Sequence, residues 1–314
     1  MKGDREETIL EVLRSSTDPL LVLGGGSNLL VADQGFEGTV LEIATRGIER
    51  DGDLLTVAGG EVWDDFVATC VAEGLSGVEA LSGIPGLVGA VPMQNVGAYG
   101  QDVSETIVRV RTWDRDAQRI VMFDRDACRF AYRSSVFRGK DRHVILDVTF
   151  ALERSPLAKP VRYAELAKGL DVAEGTRAPL ARVRETIIAL RRKKGMVLDA
   201  SDPDTRSAGS FFTNPILSAT ELATLPAEVP KFPEPDGRTK VSAAWLIERA
   251  GFAKGFSLDG RAAISSKHAL ALTNKSGDAT SDDVLRLARA IRDGVRERFG
   301  VTLENEPVFI GLAL

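Results

Sequence analysis

Cysteine is scarce in this chain: its 314 residues include Cys70 and Cys128 and no other. Their spacing fits neither a metal site nor a redox pair, and two thiols are too few to staple a secreted domain of this size. No metal is expected, therefore, and a reducing cytoplasm is the compartment that fits. Lysine is missing between Lys2 and Lys140, so the early glycines cannot end in the Gly-Lys-Ser/Thr of a Walker-type phosphate loop. No apolar run can cross a membrane either. The longest charge-free stretch, Ala80 to Gln101, is broken by Gly83, Pro85, Gly86, Gly89, Pro92, Gly97 and Gly100, which would destroy a spanning helix and predict an irregular buried loop. The N-terminus, MKGDREETILEVLRSS, has a helical pattern and no signal-peptide core. Positive charge is in deficit: a formal net charge of −5 argues against nucleic acid or an anionic membrane as a partner.

The apolar content of 44% with 27% charged residues is that of a folded globular protein, and the length predicts two or three domains. The first half reads as strand-rich. Ile9, Val12 and Leu13 share one face of an initial helix, and short strands follow at Leu20 to Leu23, Leu29 to Val31, Thr39 to Ile43 and Leu54 to Val57. A helix over 61–73 has Val62, Phe66, Val67, Cys70 and Val71 as its apolar stripe, and alternation over 105–123 and 144–152 predicts antiparallel strands. Pro, Lys and Gly between 156 and 180 mark an inter-domain joint, leading into a helix over 181–194 that ends in four basic residues. Further helices are expected over 241–250 and 281–298, the latter capped by "TSDD", with closing strands at 300–303 and 307–313.

Two glycine-rich segments stand out. "LVLGGGSNLLVAD" (21–33) lacks both the G-x-G-x-x-G spacing and the following helix of a Rossmann turn; a strand, a glycine turn and a second strand remain. "SGIPGLVGAVPMQNVGAYGQDV" (82–103) spaces its glycines so that backbone N–H groups can approach a ligand without Cβ obstruction. Together they suit an extended dinucleotide held by backbone hydrogen bonds, although tight turns satisfying buried backbone would leave the same pattern. "FAYRSSVFR" (130–138) places Arg133 where a guanidinium could clamp a carboxylate, and "AGSFFTNP" (208–215) places Ser210 on a turn beside two phenylalanines.

"GGGSNLLV", "SGIPGLVGAVPMQNVGAYG", "AYRSSVF", "AGSFFTNP" and "LENEPVFIG", collinear from Leu21 to Gly311, resemble the UDP-N-acetylenolpyruvoylglucosamine reductase family of peptidoglycan precursor synthesis, in its longer subtype with a tyrosine loop. The resemblance implies an α+β fold: a two-lobed FAD-binding domain of the vanillyl-alcohol-oxidase type over 1–155 (lobes 1–45 and 46–155), a connecting segment with the tyrosine loop and a helix over 156–195, an α/β substrate-binding domain over 196–308, and a terminal strand over 309–314. It implies non-covalent FAD, NADPH as hydride donor, and a UDP-sugar enolpyruvyl ether as substrate, in a cytoplasmic monomer without membrane insertion. A covalent flavin link would need a His or Cys beside the glycine segments, and neither histidine is near them in sequence.

By motif match, Gly24, Gly25, Gly26, Ser27 and Asn28 would wrap the FAD pyrophosphate, with Gly86, Gly89, Gln94, Asn95, Gly97 and Ala98 along its other side. Arg133 and Glu306 match the groups that receive the substrate carboxylate, where hydride addition builds negative charge, and Ser210 matches the acid that protonates the resulting carbon. Tyr163 of "RYAEL" matches a tyrosine that closes over the uridine diphosphate; Lys194, Asn214, Lys254 and His268 match substrate contacts, although Lys193 and Lys194 could instead cap a helix C-terminus and His268 could as well be an ordinary surface residue. Family members also carry about thirty residues before this point, with a T-x-R-x-G-G pattern, so a truncated first lobe is expected. A flavin oxidase of the same fold and a non-catalytic nucleotide-sugar-binding protein stay open as alternatives.

Overall fold

A computed structural model describes residues 1–314. Two compact units divide the chain: one made of residues 1–26 and 37–192, the other of 27–36 and 193–314. The boundary falls inside "GGGSN", after Gly26. Residues 156–192, set apart in the sequence as a connecting segment, pack within the first unit.

The first unit opens with a small parallel sheet in which Thr39–Ile43 lies between Lys2–Gly3 and Leu20–Leu23. Helix Glu6–Ser15 covers it, because Ile9, Val12 and Leu13 recur at helical spacing and bury against Leu20, Leu41 and Ile43. Beyond it runs a five-stranded antiparallel sheet in the order Arg119–Asp124, Ile107–Asp114, His143–Ala151, Leu54–Ala58 and Ile48–Asp51. Helix Trp63–Ala72 lays Trp63, Phe66 and Cys70 on this sheet, where Phe66 and Phe150 stack with ring centroids 5.1 Å apart. A third core joins helices Ala164–Leu170 and Leu180–Lys193 through Leu166, Leu170, Val183 and Ile187.

In the second unit, Ser207–Ser210, Ala271–Asn274 and Ala262–Ile264 form an antiparallel sheet. Helix Ser281–Phe299 turns Val284, Leu287, Ile291 and Val295 into a core that also takes Leu246, Ile264 and Leu272. A second sheet orders Ile216–Leu217, Thr239–Val241 and Lys231–Pro233. No helix is long and apolar enough to cross a membrane.

Three local expectations change. The strands flanking "GGGSN" do not pair as a hairpin: Leu20–Leu23 runs parallel to Thr39–Ile43, and Leu29–Val31 parallel to Val308–Ile310. A turn remains at Ser27 and Asn28, directly after the glycines, but it does not join two paired strands. Residues 300–303 are irregular because Gly300 ends the preceding helix in the left-handed region (φ 69°), and Val301 and Leu303 bury their side chains without a strand neighbour. The stretch from Ala80 to Gln101 is not one loop but short helical turns followed by a hairpin of Gly97–Ala98 with Gln101–Asp102.

Helix Ser281–Phe299 starts in a capping box: Thr280 Oγ1 accepts from Asp283 N (3.1 Å), and Asp283 Oδ2 accepts from Thr280 N (2.9 Å). The Thr280 amide, and after it the Arg286 guanidinium, pull the Asp283 carboxyl down from 3.8 to about 2. A depressed folded value means that this stabilisation is complete above the ordinary carboxylate pKa and disappears as pH falls through 3.8 towards 2. Thermal melts followed by circular dichroism should therefore lose more stability between pH 4 and pH 2 in the parent than in Asp283→Asn; parallel losses would contradict the cap.

Candidate functional site

The first glycine segment leaves strand Leu20–Leu23 and meets the second at backbone distance. A Cβ built on Gly25 would lie 2.9 Å from Gly86 Cα, inside any tolerable carbon contact, so both positions must be bare. Gly86 has a φ of 117°, which only glycine adopts without strain. Gly89 approaches in the same manner: its amide donates to Gly59 O (2.8 Å), and a Cβ on it would stand 3.0 Å from that oxygen. Trp63 N donates to Gly86 O (3.0 Å), which ties the segment to the start of a helix. Gly25 and Gly26 are exposed, and their amides enter no hydrogen bond within the fold. A Cβ on Gly24 would stand 3.7 Å from Ala90 Cβ, an ordinary contact.

The entrance to the second segment is gripped by charge. Gly83 N donates to Asp64 Oδ1 (2.6 Å), and Arg184 binds both Asp64 oxygens, at 2.6 and 2.9 Å. Burial would raise the Asp64 carboxyl, but Arg184 and the Gly83 amide outweigh it and hold it below 3.8. Arg191, buried in the same helix as Arg184, donates from Nε to Gly83 O (3.1 Å).

Further along, Asn95 is buried at a φ of 47°, and its side chain bonds to Ala131 O (3.1 Å) and Ser104 N (3.1 Å). Its amide therefore fastens the Arg133 loop to the glycine segment. Ser135 Oγ adds a bond to Met93 O (2.7 Å). Arg133, itself at a φ of 48°, donates from Nη2 to Gly97 O (2.6 Å), while Arg138 Nη1 donates to Arg133 O (2.6 Å). Gln94 and Ala98 lie half-buried on the same segment. The structure thus brings Gly25, Gly86, Gly89, Asn95, Gly97 and Arg133 into one connected loop system.

The tyrosine segment docks on the same loops. Glu79, buried, accepts from Gly77 N (2.5 Å) and Lys159 N (2.6 Å), anchoring the base of the segment. The Tyr163 ring meets Tyr99 edge-on at 5.5 Å, and burial raises its phenol above 10.

The second unit assembles a different group. Ser210 ends strand Ser207–Ser210, and its hydroxyl enters no hydrogen bond within the fold. The next residue, Phe211, accepts from Glu306 N (2.8 Å) at its carbonyl. Asn28 O accepts from Val308 N (2.9 Å), and Asn28 Nδ2 approaches Glu306 O (3.4 Å). Asn28, Ser210 and Glu306 are thereby brought together through backbone links, with Phe211 and Phe212 buried beneath them. Asn214 Oδ1 accepts from Ala243 N (2.9 Å). Lys254 is exposed on a turn, Lys194 and Ser27 are half-buried, and His268 sits in the bend between two strands with its amide on Ser265 Oγ (3.2 Å).

Asp33, Asp102 and Glu79 escaped the sequence reading. Asp33 follows "GGGSNLLV" directly, and its carboxylate takes Ser281 N (3.1 Å) and Ser281 Oγ (2.8 Å), capping a helix almost the whole chain away. No local signal foretells such a partner.

A family model described as an FAD binding domain matches residues 5–122, and one described as the UDP-N-acetylenolpyruvoylglucosamine reductase C-terminal domain matches residues 202–310. A UDP-N-acetylenolpyruvoylglucosamine reductase of Thermobifida fusca is 57% identical over 322 residues, covering 98% of this chain and 90% of the relative. The chain belongs to the UDP-N-acetylenolpyruvoylglucosamine reductase family. A reductase of Mycobacterium avium with the same name is 48% identical, over 97% of this chain and 86% of its own length. The crystal structure of the Thermus caldophilus reductase overlays with a TM-score of 0.68 at 24% identity, covering 98% of this chain and 91% of that one, and shares the fold. The α+β character of the chain and its flavin-binding domain agree with that family.

The residues present fit a dinucleotide cofactor. Unengaged amides on exposed glycines beside a Cβ-free approach can give an anion a bare-backbone seat, and the loops around it are fixed by Asn95, Asp64 and Ser135. Burial pushes the Cys70 and Cys128 thiols up to about 12, which leaves neither as a thiolate able to attack a flavin. Gly25→Ala should weaken FAD binding at least roughly tenfold, the equivalent of about 1.4 kcal/mol, while leaving the circular dichroism spectrum unchanged. FAD titration by fluorescence quenching measures this, and unchanged affinity would contradict the seat.

Proposed function

We propose that this chain catalyses the NADPH-dependent reduction of UDP-N-acetylglucosamine enolpyruvate to UDP-N-acetylmuramate, in peptidoglycan precursor synthesis, with FAD held non-covalently. Family membership supports the reaction, and the unengaged Ser210 hydroxyl, coupled through Phe211 to Glu306, is the observation that carries the assignment of roles. Held by the two glycine segments, FAD would supply the hydride relay between NADPH and the methylene carbon of the enolpyruvyl ether.

The protein's own residues do the rest. Gly24, Gly25, Gly26, Ser27 and Asn28 on one segment, with Gly86, Gly89, Gln94, Asn95, Gly97 and Ala98 on the other, bind the cofactor largely through backbone groups. Negative charge grows on the substrate carboxylate as hydride arrives, and a cation already in position stabilises it without reorganising at that moment. Arg133 is that cation, its guanidinium fixed by Gly97 O and its backbone by Arg138. Glu306 is the second polar partner. A serine hydroxyl is a weak acid, yet the carbon left after hydride addition is basic enough to take its proton when the two are held within hydrogen-bond reach. Ser210 holds that proton.

Tyr163, Lys194, Asn214, Lys254 and His268 are assigned to the uridine diphosphate end of the substrate. The docking of Tyr163 on Tyr99 supports a closing role for that tyrosine. Unpaired, buried Cys70 and Cys128 support a reducing cytoplasm, where we place the chain as a monomer.

Ser210→Ala should leave flavin reduction by NADPH at its parent rate and slow flavin reoxidation by substrate by a factor on the order of 100 to 10,000. Stopped-flow absorbance separates the two half-reactions; equal loss in both would remove Ser210 from its role. Tyr163→Phe should weaken substrate affinity in calorimetric titration, and parent affinity would rule out the closing role.

A further inference from the structure

The hairpin of Gly97–Ala98 with Gln101–Asp102 turns through Tyr99 and Gly100, whose φ values of 50° and 80° are those of a type I′ turn. That register sets Asp102 directly across from Gly97. Gly97 has no side chain, and a Cβ there would overlap the Asp102 carboxylate, which folds back over the bare Cα. The carboxylate reaches Arg133: Asp102 Oδ1 lies 4.0 Å from Nη1, while Arg133 Nη2 donates to Gly97 O at 2.6 Å. One cross-strand pair therefore holds both ends of the guanidinium, one by a carbonyl and the other by a negative charge. Arg133 is mostly covered and Asp102 is about half exposed, so the pair is open to an arriving anion.

Resting on the assignment of Arg133 to the substrate carboxylate, we propose that Asp102 is a positioning residue for the reduction: it orients Arg133 before substrate arrives, and it competes with the substrate carboxylate for the same guanidinium. The two effects have opposite signs in binding and in chemistry. Orientation fixes a long side chain that would otherwise sample many rotamers, so it speeds the step in which charge develops. Competition places a like charge near the substrate carboxylate and weakens ground-state binding. The like charge is felt in the transition state as well, so the proposal requires that the orientation Asp102 gives Arg133 outweighs that repulsion once hydride begins to arrive.

The experiment uses FAD-loaded protein and a double-mutant cycle of Asp102→Asn with Arg133→Lys, which keeps the positive charge but loses the fork geometry. Calorimetric titration of the oxidised holoenzyme with UDP-N-acetylglucosamine enolpyruvate, without NADPH, reads binding apart from turnover. Stopped-flow reoxidation reads the chemistry, and flavin absorbance with a thermal melt checks folding. Asp102→Asn should bind substrate roughly tenfold more tightly and reoxidise roughly tenfold more slowly. On the Arg133→Lys background the same substitution should change each quantity less than about twofold. Parent values in Asp102→Asn, or changes of equal size on both backgrounds, would overturn the proposal. If Arg133→Lys alone binds and turns over substrate as the parent does, the Arg133 assignment itself fails, and the proposal with it.

Discussion

The approach of Gly25 to Gly86 is the constraint on which the first unit's site depends. With a Cβ barred at 2.9 Å from the opposing Cα, the two segments can close only as backbone, and backbone that close presents its amides instead of side chains to whatever lies alongside. Such an arrangement binds an anion without a helix dipole or a lysine, in keeping with a chain that has neither a Walker ending nor a helix after its glycines. Bare loops are entropically costly to order, and the fold offsets this with buried or part-buried, partly ionic anchors. Asp64 and Arg184 take Gly83, Asn95 and Ser135 take the Arg133 loop, and Glu79 takes the tyrosine segment. Breaking one of the buried anchors, Asn95 or Glu79, leaves an uncompensated partner, which costs more than a surface contact of the same length.

On the proposed assignment of roles, the second unit has a different task, which is to present a hydroxyl proton without committing it elsewhere. Two buried phenylalanines fix the end of strand Ser207–Ser210, and a backbone bond from Glu306 to Phe211 holds the two polar groups on a rigid frame. A serine on a mobile loop would find a water or a carbonyl as a partner. Ser210 instead ends a strand, half-buried, directly before the buried Phe211.

Much of this was legible in the sequence because local patterning carries it. Ile9, Val12 and Leu13 recur at the helical period and are buried as that period requires, and "TSDD" marks a capped helix start that Thr280 and Asp283 form. The bare positions of the glycine segments were legible too, since glycine at these spacings has few other uses. Pairings across great sequence distance were not. Leu29–Val31 finds its neighbour in Val308–Ile310, and Asp33 finds Ser281, contacts that no window of ten residues encodes. Side-chain commitments were equally hidden: Asn95 reads as a ligand contact in its motif, yet its amide bonds to Ala131 and Ser104. Asp102 was overlooked because Tyr-Gly is not the usual type I′ pair, so nothing announced a hairpin that sets it across from Gly97.

One spectrum tests the central claim most directly. The purified chain is mixed with excess FAD, passed through a desalting column and scanned across the visible range. Seating of a dinucleotide on the two bare-backbone segments predicts flavin absorbance that stays with the protein at about one cofactor per folded chain. A correctly folded but colourless protein would contradict it, and the roles given to Arg133, Ser210 and Glu306 would lose their foundation.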